Sequence, residues 1–248
     1  MLSRGFFELG RRLGHAAIPT ARKAVWAWKS LTATETDSIR AEIDLGAALA
    51  AEMRLRVTSA ADPGDSVLVN HICRRLSGTL RNEPRPFMAE AIQLGSPTAI
   101  ALPGGFIFVD PSLLDLCGRQ PDEVAFVVGH EMAHVIRQHA FKRIATRVGC
   151  DVLSVLLRRG MFAGWWRQPG LRLLQSAYSR DSELEADKLG ARLAGAAGYD
   201  PAAAFRLLAR LDRLHGASAG LSEYFASHPP ANERIANLRA RSVGDRAG

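Results

Sequence analysis

The fold turns on the run Pro121-Asp122-Glu123-Val124-Ala125-Phe126-Val127-Val128-Gly129-His130-Glu131-Met132-Ala133-His134-Val135-Ile136. Pro121 suits a first helical turn, where its missing N–H costs nothing. Asp122 and Glu123 complement the positive end of the helix dipole. Val124 to Gly129 is apolar nearly all round, which predicts a buried helix, extending over 121–146. Into it is set an HExxH pattern, His130 to His134. Positions i and i+4 lie about 40° apart on one face, so the two imidazoles can converge on one Zn²⁺. Glu131 is offset by about 100°, flanks the metal and can reach its water. The pattern arises by chance roughly 0.01 times in a chain of this length. A carboxylate also has no place in a buried helix unless something there needs it.

A catalytic zinc site needs a third protein ligand. The best source is Tyr178-Ser179-Arg180-Asp181-Ser182-Glu183-Leu184-Glu185-Ala186-Asp187. Glu183 and Asp187 share a helix face there, whereas Glu185 points away. Small residues Ala186, Gly190, Ala191 and Ala194 would let this second helix approach the first closely. His139, five residues beyond His134, would lie about 140° round a continuous helix. It is therefore poorly placed for the same metal, and is expected behind a ligand or at the surface.

HEMAH followed by SRDSELEAD resembles the family-forty-eight zinc metallopeptidases. That family includes prenyl endopeptidases, heat-shock membrane proteases, mitochondrial inner-membrane quality-control proteases and periplasmic assembly proteases. The run Ala99-Ile100-Ala101-Leu102-Pro103-Gly104-Gly105-Phe106-Ile107-Phe108-Val109 is similar to its NAFALPGGxIxV hairpin, with Thr98 where the family usually has Asn. DLGAALAAEM resembles an N-terminal helix of the family, and His228-Pro229-Pro230 with Arg234 resembles its C-terminal element. The likeness covers about residues 36–240. It implies an α+β, mainly α, zincin-like (gluzincin) domain with a small three-stranded sheet and an HExxH active-site helix. It also implies one Zn²⁺ per chain on His130, His134 and Glu183, with Glu131 as general base and acid. Asp187 would fix a ligand histidine through its other ring nitrogen. His228 and Arg234 would stabilise an oxyanion or supply a resting fourth ligand, unless they are merely a helix-entry His and a solvated Arg. Thr98, Ala99, Ile100, Ala101 and Leu102 would form a substrate edge strand, pairing an extended peptide through main-chain hydrogen bonds.

Outward from these motifs, Ile39–Val57 is predicted as an amphipathic helix with Ile43, Ala47, Ala50 and Leu55 near one side. A second helix, capped by Asp65, carries Val67, Leu68, Ile72, Leu76 and Leu80. PFMAEAIQL, TAIAL and FIFV are predicted strands, with Pro103-Gly104-Gly105 as a tight reversal. Further helices are expected over roughly 150–160, 171–197, 201–215 and 230–241. Met161, Phe162, Trp165 and Trp166 suit a covering hairpin, a lid or a membrane contact.

Of 248 residues, 47% are hydrophobic and 23% charged, which excludes a disordered or collagen-like chain. Three cysteines without a CxxC are neither a disulfide framework nor a zinc ribbon. No apolar run is long enough to predict a transmembrane helix, and no secretory signal is legible. The +7 formal charge is uneven: six bases face one acid in residues 1–29, leaving 26 against 24 elsewhere. Phe6, Phe7, Trp26 and Trp28 are interleaved with those bases, as in segments that lie on anionic bilayers.

The expected organisation is a basic leader at 1–35, flexible or membrane-associating, a zinc metallopeptidase domain at 36–242, and a flexible tail at 243–248. The expected activity is hydrolysis of unfolded or membrane-associated polypeptides, as in protein quality control. The competing class is a non-hydrolytic zinc-binding chaperone or scaffold for misfolded clients. No nucleic-acid reading module is recognisable. The expected location is the cytoplasm or the periphery of a membrane, with an organelle reached through a transit-like N-terminus as the alternative.

Overall fold

The computed structural model describes residues 35–56, 61–142, 178–214, 228 and 231–242. The leader, Cys150, the Met161–Trp166 segment and the C-terminal tail lie outside the described residues. Helix α1 (Glu35–Arg56) leads to α2 (Pro63–Ser77) and strand β1 (Met88–Ala91). Strand β2 (Ala99–Ala101), a 3₁₀ turn (Pro103–Gly105) and strand β3 (Phe106–Val109) follow, then α3 (Pro111–Leu116) and α4 (Pro121–Ile136). The described chain resumes with α5 (Arg180–Ala196), α6 (Ala203–Leu214) and α7 (Ala231–Ser242).

The sheet order is β1-β3-β2, with β1 parallel and β2 antiparallel to β3. Ala99 faces Val109 and Ala101 faces Ile107. β2 is therefore an edge. The other edge, β1, is sealed by α2: Ser66 Oγ bonds both the N–H and the carbonyl of Ala91, and Asn70 Nδ2 donates to the Ala89 carbonyl. α4 is buried from Glu123 to Val135 and runs through a core of α2, sheet and α6 side chains, including Ile72, Leu76, Val109, Val128, Met132, Leu207 and Leu211. Cys73 and Cys117 are free thiols inside that core, where burial pushes both up to about 12.

Several local expectations need correcting. The cap of α2 is Asp62, whose carboxylate accepts from Gly64 N–H; Asp65 sits in the first turn and pairs with Arg119. Pro63 enters that turn at once, which moves the helix start back. Val67 is exposed, and Val69 and Cys73 take the core face. α1 buries Glu42, Leu45, Gly46, Leu49, Ala50 and Met53, whereas Ala47 and Leu55 face outward. Its contact stripe was obscured because two of its members are a glycine and a carboxylate. The helix predicted over 121–146 ends at Ile136, because Gln138 adopts a left-handed φ of 56°. The helix expected from 171 starts at Arg180 behind the Ser179 cap, and α3 had no counterpart among the expected elements.

α1 is locked onto the β2–β3 reversal by close backbone contact. A methyl added to Gly46 would lie 1.8 Å from the Pro103 carbonyl oxygen. Gly104, at φ 75°, has its Cα side against Ile43, and only glycine tolerates that conformation so near another chain. Beside it the buried Glu42 carboxylate accepts from Arg85, from Gly104 N–H and from the Gln138 amide nitrogen Nε2. One side chain thus joins α1, the hairpin turn and the turn that ends α4. Gly46→Ala is expected to lower stability by about 1–3 kcal/mol or more through overpacking. Urea unfolding checks this as a reduced midpoint at unchanged slope.

Candidate metal centre

α4 and α5 cross at Gly129 and Gly190. A methyl on Gly190 would lie 2.6 Å from the His130 backbone nitrogen, and one on Gly129 would lie 2.8 Å from the Gly190 carbonyl. Two bare glycines therefore bring the helices together at the residue preceding His130. One and two turns before Gly190 on α5 stand Asp187 and Glu183, both fully buried.

The side chains converge accordingly. His130 Nε2 and His134 Nε2 are 3.1 Å apart. Glu183 Oε2 lies 3.6 Å from the first and Oε1 lies 3.3 Å from the second. Glu183 Oε1 is buried without a hydrogen-bond partner. Burial alone would raise the Glu183 carboxyl, but His228 and His134 outweigh it and hold the group well below the usual carboxylate range. Burial lowers His130 and keeps it neutral. Two imidazole nitrogens and an ionised carboxylate with an orphaned oxygen form a donor set that suits a borderline-soft divalent cation such as zinc.

Glu131 is 3% exposed, and burial raises its carboxyl above the ordinary value. The Ala101 backbone on β2 hydrogen-bonds this carboxylate. His130, Glu131 and His228 also present ligand atoms within 4.8 Å of one another. Glu131 thus stands between the imidazole cluster and the edge strand.

Around this centre, His130 Nδ1 meets Asp187 Oδ1 at 2.9 Å. Arg234 grips the same carboxylate through two bonds, Nη2 to Oδ1 at 2.6 Å and Nε to Oδ2 at 2.8 Å. Burial would raise Asp187, but Arg234 and His130 overcome it and keep it ionised. Arg234 is 2% exposed, so it is no solvated arginine, and it sits on the far side of His130 from the converging Nε2 atoms. His228 is likewise buried, with Nδ1 2.6 Å from Glu183 Oε2. Thr98 to Leu102 are all buried. α4 lies against their strand, and Leu102 N–H bonds back to Phe106.

Two neighbours complete the surroundings of His134: Tyr178, which the sequence did not single out, and His139, expected behind a ligand or at the surface. Tyr178 stacks on His134 with ring centroids 3.9 Å apart. His139 has turned back so that its Nδ1 is 3.0 Å from His134 Nδ1, and burial beside His134 lowers it to about 3. A periodic helix could not reveal the second contact, because it depends on the break at Gln138. Tyr178 lies beside the acidic motif, which was the one available signal for it.

The model of Peptidase family M48 matches residues 68–242. The Mitochondrial metalloendopeptidase OMA1 of Schizosaccharomyces pombe is 30% identical over 178 residues, covering 70% of this chain and 52% of that protein. The Metalloprotease LoiP of Escherichia coli is 28% identical over 186 residues, covering 70% of this chain and 69% of that one. The Beta-barrel assembly-enhancing protease of the same bacterium is 25% identical over 223 residues, covering 85% of this chain and 46% of its own. The chain spans about half or less of the length of the first curated relatives it matches.

The Asp187–Arg234 pair carries a direct consequence for stability. Arg234→Met leaves the buried Asp187 carboxylate with His130 but without its cation, and is expected to cost about 3–5 kcal/mol. Chemical denaturation of the metal-free protein measures the loss.

Proposed function

The chain belongs to peptidase family M48, and on that premise we propose that it is a zinc-dependent metalloendopeptidase acting on unfolded or membrane-associated polypeptides. The observation that carries this is the convergence of two imidazole nitrogens and the orphaned Glu183 oxygen, with a buried carboxylate beside them. His130, His134 and Glu183 would hold the metal. Zinc bound there supplies a Lewis acid that acidifies water and polarises a carbonyl.

The chain's own groups do the rest. Glu131, raised toward neutrality by burial, accepts a proton from the attacking water and passes it to the leaving amine. Asp187 orients His130, and Arg234 keeps Asp187 ionised and aimed. His228, hydrogen-bonded to Glu183, would donate to an oxyanion or serve as a resting further ligand. The substrate is held in extended form along β2, whose Ala101 backbone already touches Glu131. The sealed β1 edge supports this choice. A scaffold that merely held zinc would have no use for Glu131.

Residues 36–242 would form the peptidase domain, with 1–35 as a leader and 243–248 as a tail. The leader's six bases and four aromatic side chains support peripheral contact with an anionic membrane, at a cytoplasmic or organellar surface. Among the described residues no helix is long and apolar enough to cross a membrane.

Glu131→Gln keeps the shape and removes the base. It is expected to lower casein cleavage by about 10²–10⁴-fold while zinc content stays at one per chain. Undiminished cleavage would sink the assignment of the base. Full-length protein is also expected to bind anionic vesicles at low salt and to release as salt screens the leader's charges. Deleting residues 1–29 should remove that binding, as read by vesicle co-sedimentation.

A further inference from the structure

The two histidines of the HExxH pair have their outer nitrogens engaged by different partners. His130 Nδ1 meets a carboxylate, which can only accept, so its proton sits on Nδ1 and its lone pair on Nε2. His134 Nδ1 meets another imidazole, His139 Nδ1, and two such nitrogens share one proton. If His134 offers the lone pair of Nε2 to a metal, its proton must be on Nδ1. His139 Nδ1 is then the acceptor, and a His139 ring that accepts at Nδ1 carries its proton on Nε2. That nitrogen lies 3.4 Å from Glu185 Oε2, and Glu185 Oε1 pairs with Arg137 at 2.9 Å. The Glu185 carboxylate thus places negative charge beside that nitrogen.

We propose that His139 is a positioning residue for the metal ligand His134, accepting its Nδ1 proton, with the Glu185 carboxylate facing the far side of the His139 ring. This rests on the proposed metal centre and adds to it a residue outside the HExxH and acidic motifs. The path parallels His130–Asp187–Arg234, since each ends on a carboxylate held by an arginine. Three local features create it. Arg137 caps α4, Gln138 takes the left-handed conformation, and Glu42 holds the Gln138 amide. Without that break His139 would point about 140° from His134. Tyr178 covers the His134 ring face, so the imidazole is fixed both in plane and edgewise.

The test measures zinc affinity of the full chain by competition with a chromophoric chelator, alongside thermal stability. His139→Phe preserves bulk and removes the acceptor; zinc binding is expected to weaken about 10–100-fold. His139→Gln restores a carbonyl acceptor and is expected to recover most of that loss. A merely structural role predicts the reverse order, because a buried amide is tolerated less well than Phe. The proposal is overturned if folded His139→Phe binds zinc like wild type, or if His139→Gln is no better than His139→Phe. Should His139→Phe not fold, ¹⁵N-histidine spectra of the wild type decide: a proton on His139 Nε2 supports the path, and one on Nδ1 overturns it. Wild type that binds no zinc would sink the metal centre itself, whereas tight wild-type binding unaffected by the variants would sink only the role of His139.

Discussion

The contact between Gly129 and Gly190 is the constraint on which the site depends. No side chain separates the two helices there, so their backbones touch and the residues on either side are brought within reach of each other. His130 follows Gly129 directly, and Asp187 lies one turn before Gly190. Their 2.9 Å contact is a consequence of helix proximity as much as of charge. A larger residue at either glycine would separate the imidazole pair from Glu183. Burying four imidazoles and several carboxylates in one region is costly unless each finds a partner. The lone unsatisfied oxygen among them, on Glu183, is where a cation would repay the desolvation.

Glu42 plays the corresponding part for the rest of the domain. It is buried on α1, yet its carboxylate reaches Arg85, the Gly104 amide and the Gln138 side chain. The hairpin carrying the edge strand and the turn after the HExxH helix are therefore registered against one group. Because Ala101 on that hairpin also touches Glu131, the position of the edge strand relative to the centre is defined from both ends. The two ligand histidines differ in their support. His130 leans directly on a fully buried carboxylate, whereas His134 leans on a neutral ring whose own partner, Glu185, is 44% exposed.

Much of the fold was legible because the relevant signals are local. Pro121, the two acids after it and the apolar run mark the start and burial of α4. The Pro103-Gly104-Gly105 turn marks the hairpin, and the small residues of α5 mark close packing. Where the reading of α1 and of the end of α4 failed, a long-range contact had overridden the local pattern. The buried stripe of α1 contains Glu42 and Gly46, which read as polar and weak until Arg85 and Pro103 are seen opposite them. Similarly, nothing near Gln138 announces a helix end, since its left-handed turn is stabilised from α1.

The sequence by itself determined the HExxH spacing, the i and i+4 pairing of Glu183 with Asp187, and the glycines that allow two helices to meet. These follow from helical period and side-chain size, which act over a few residues. Tertiary structure alone decided that Arg234 is a buried clamp rather than a surface charge, that His139 returns to His134, and that Tyr178 covers that ring. Each of those outcomes requires elements distant in the chain to be placed within a few ångströms. The energies that place them come from burial and ion pairing across the fold, which no local pattern encodes.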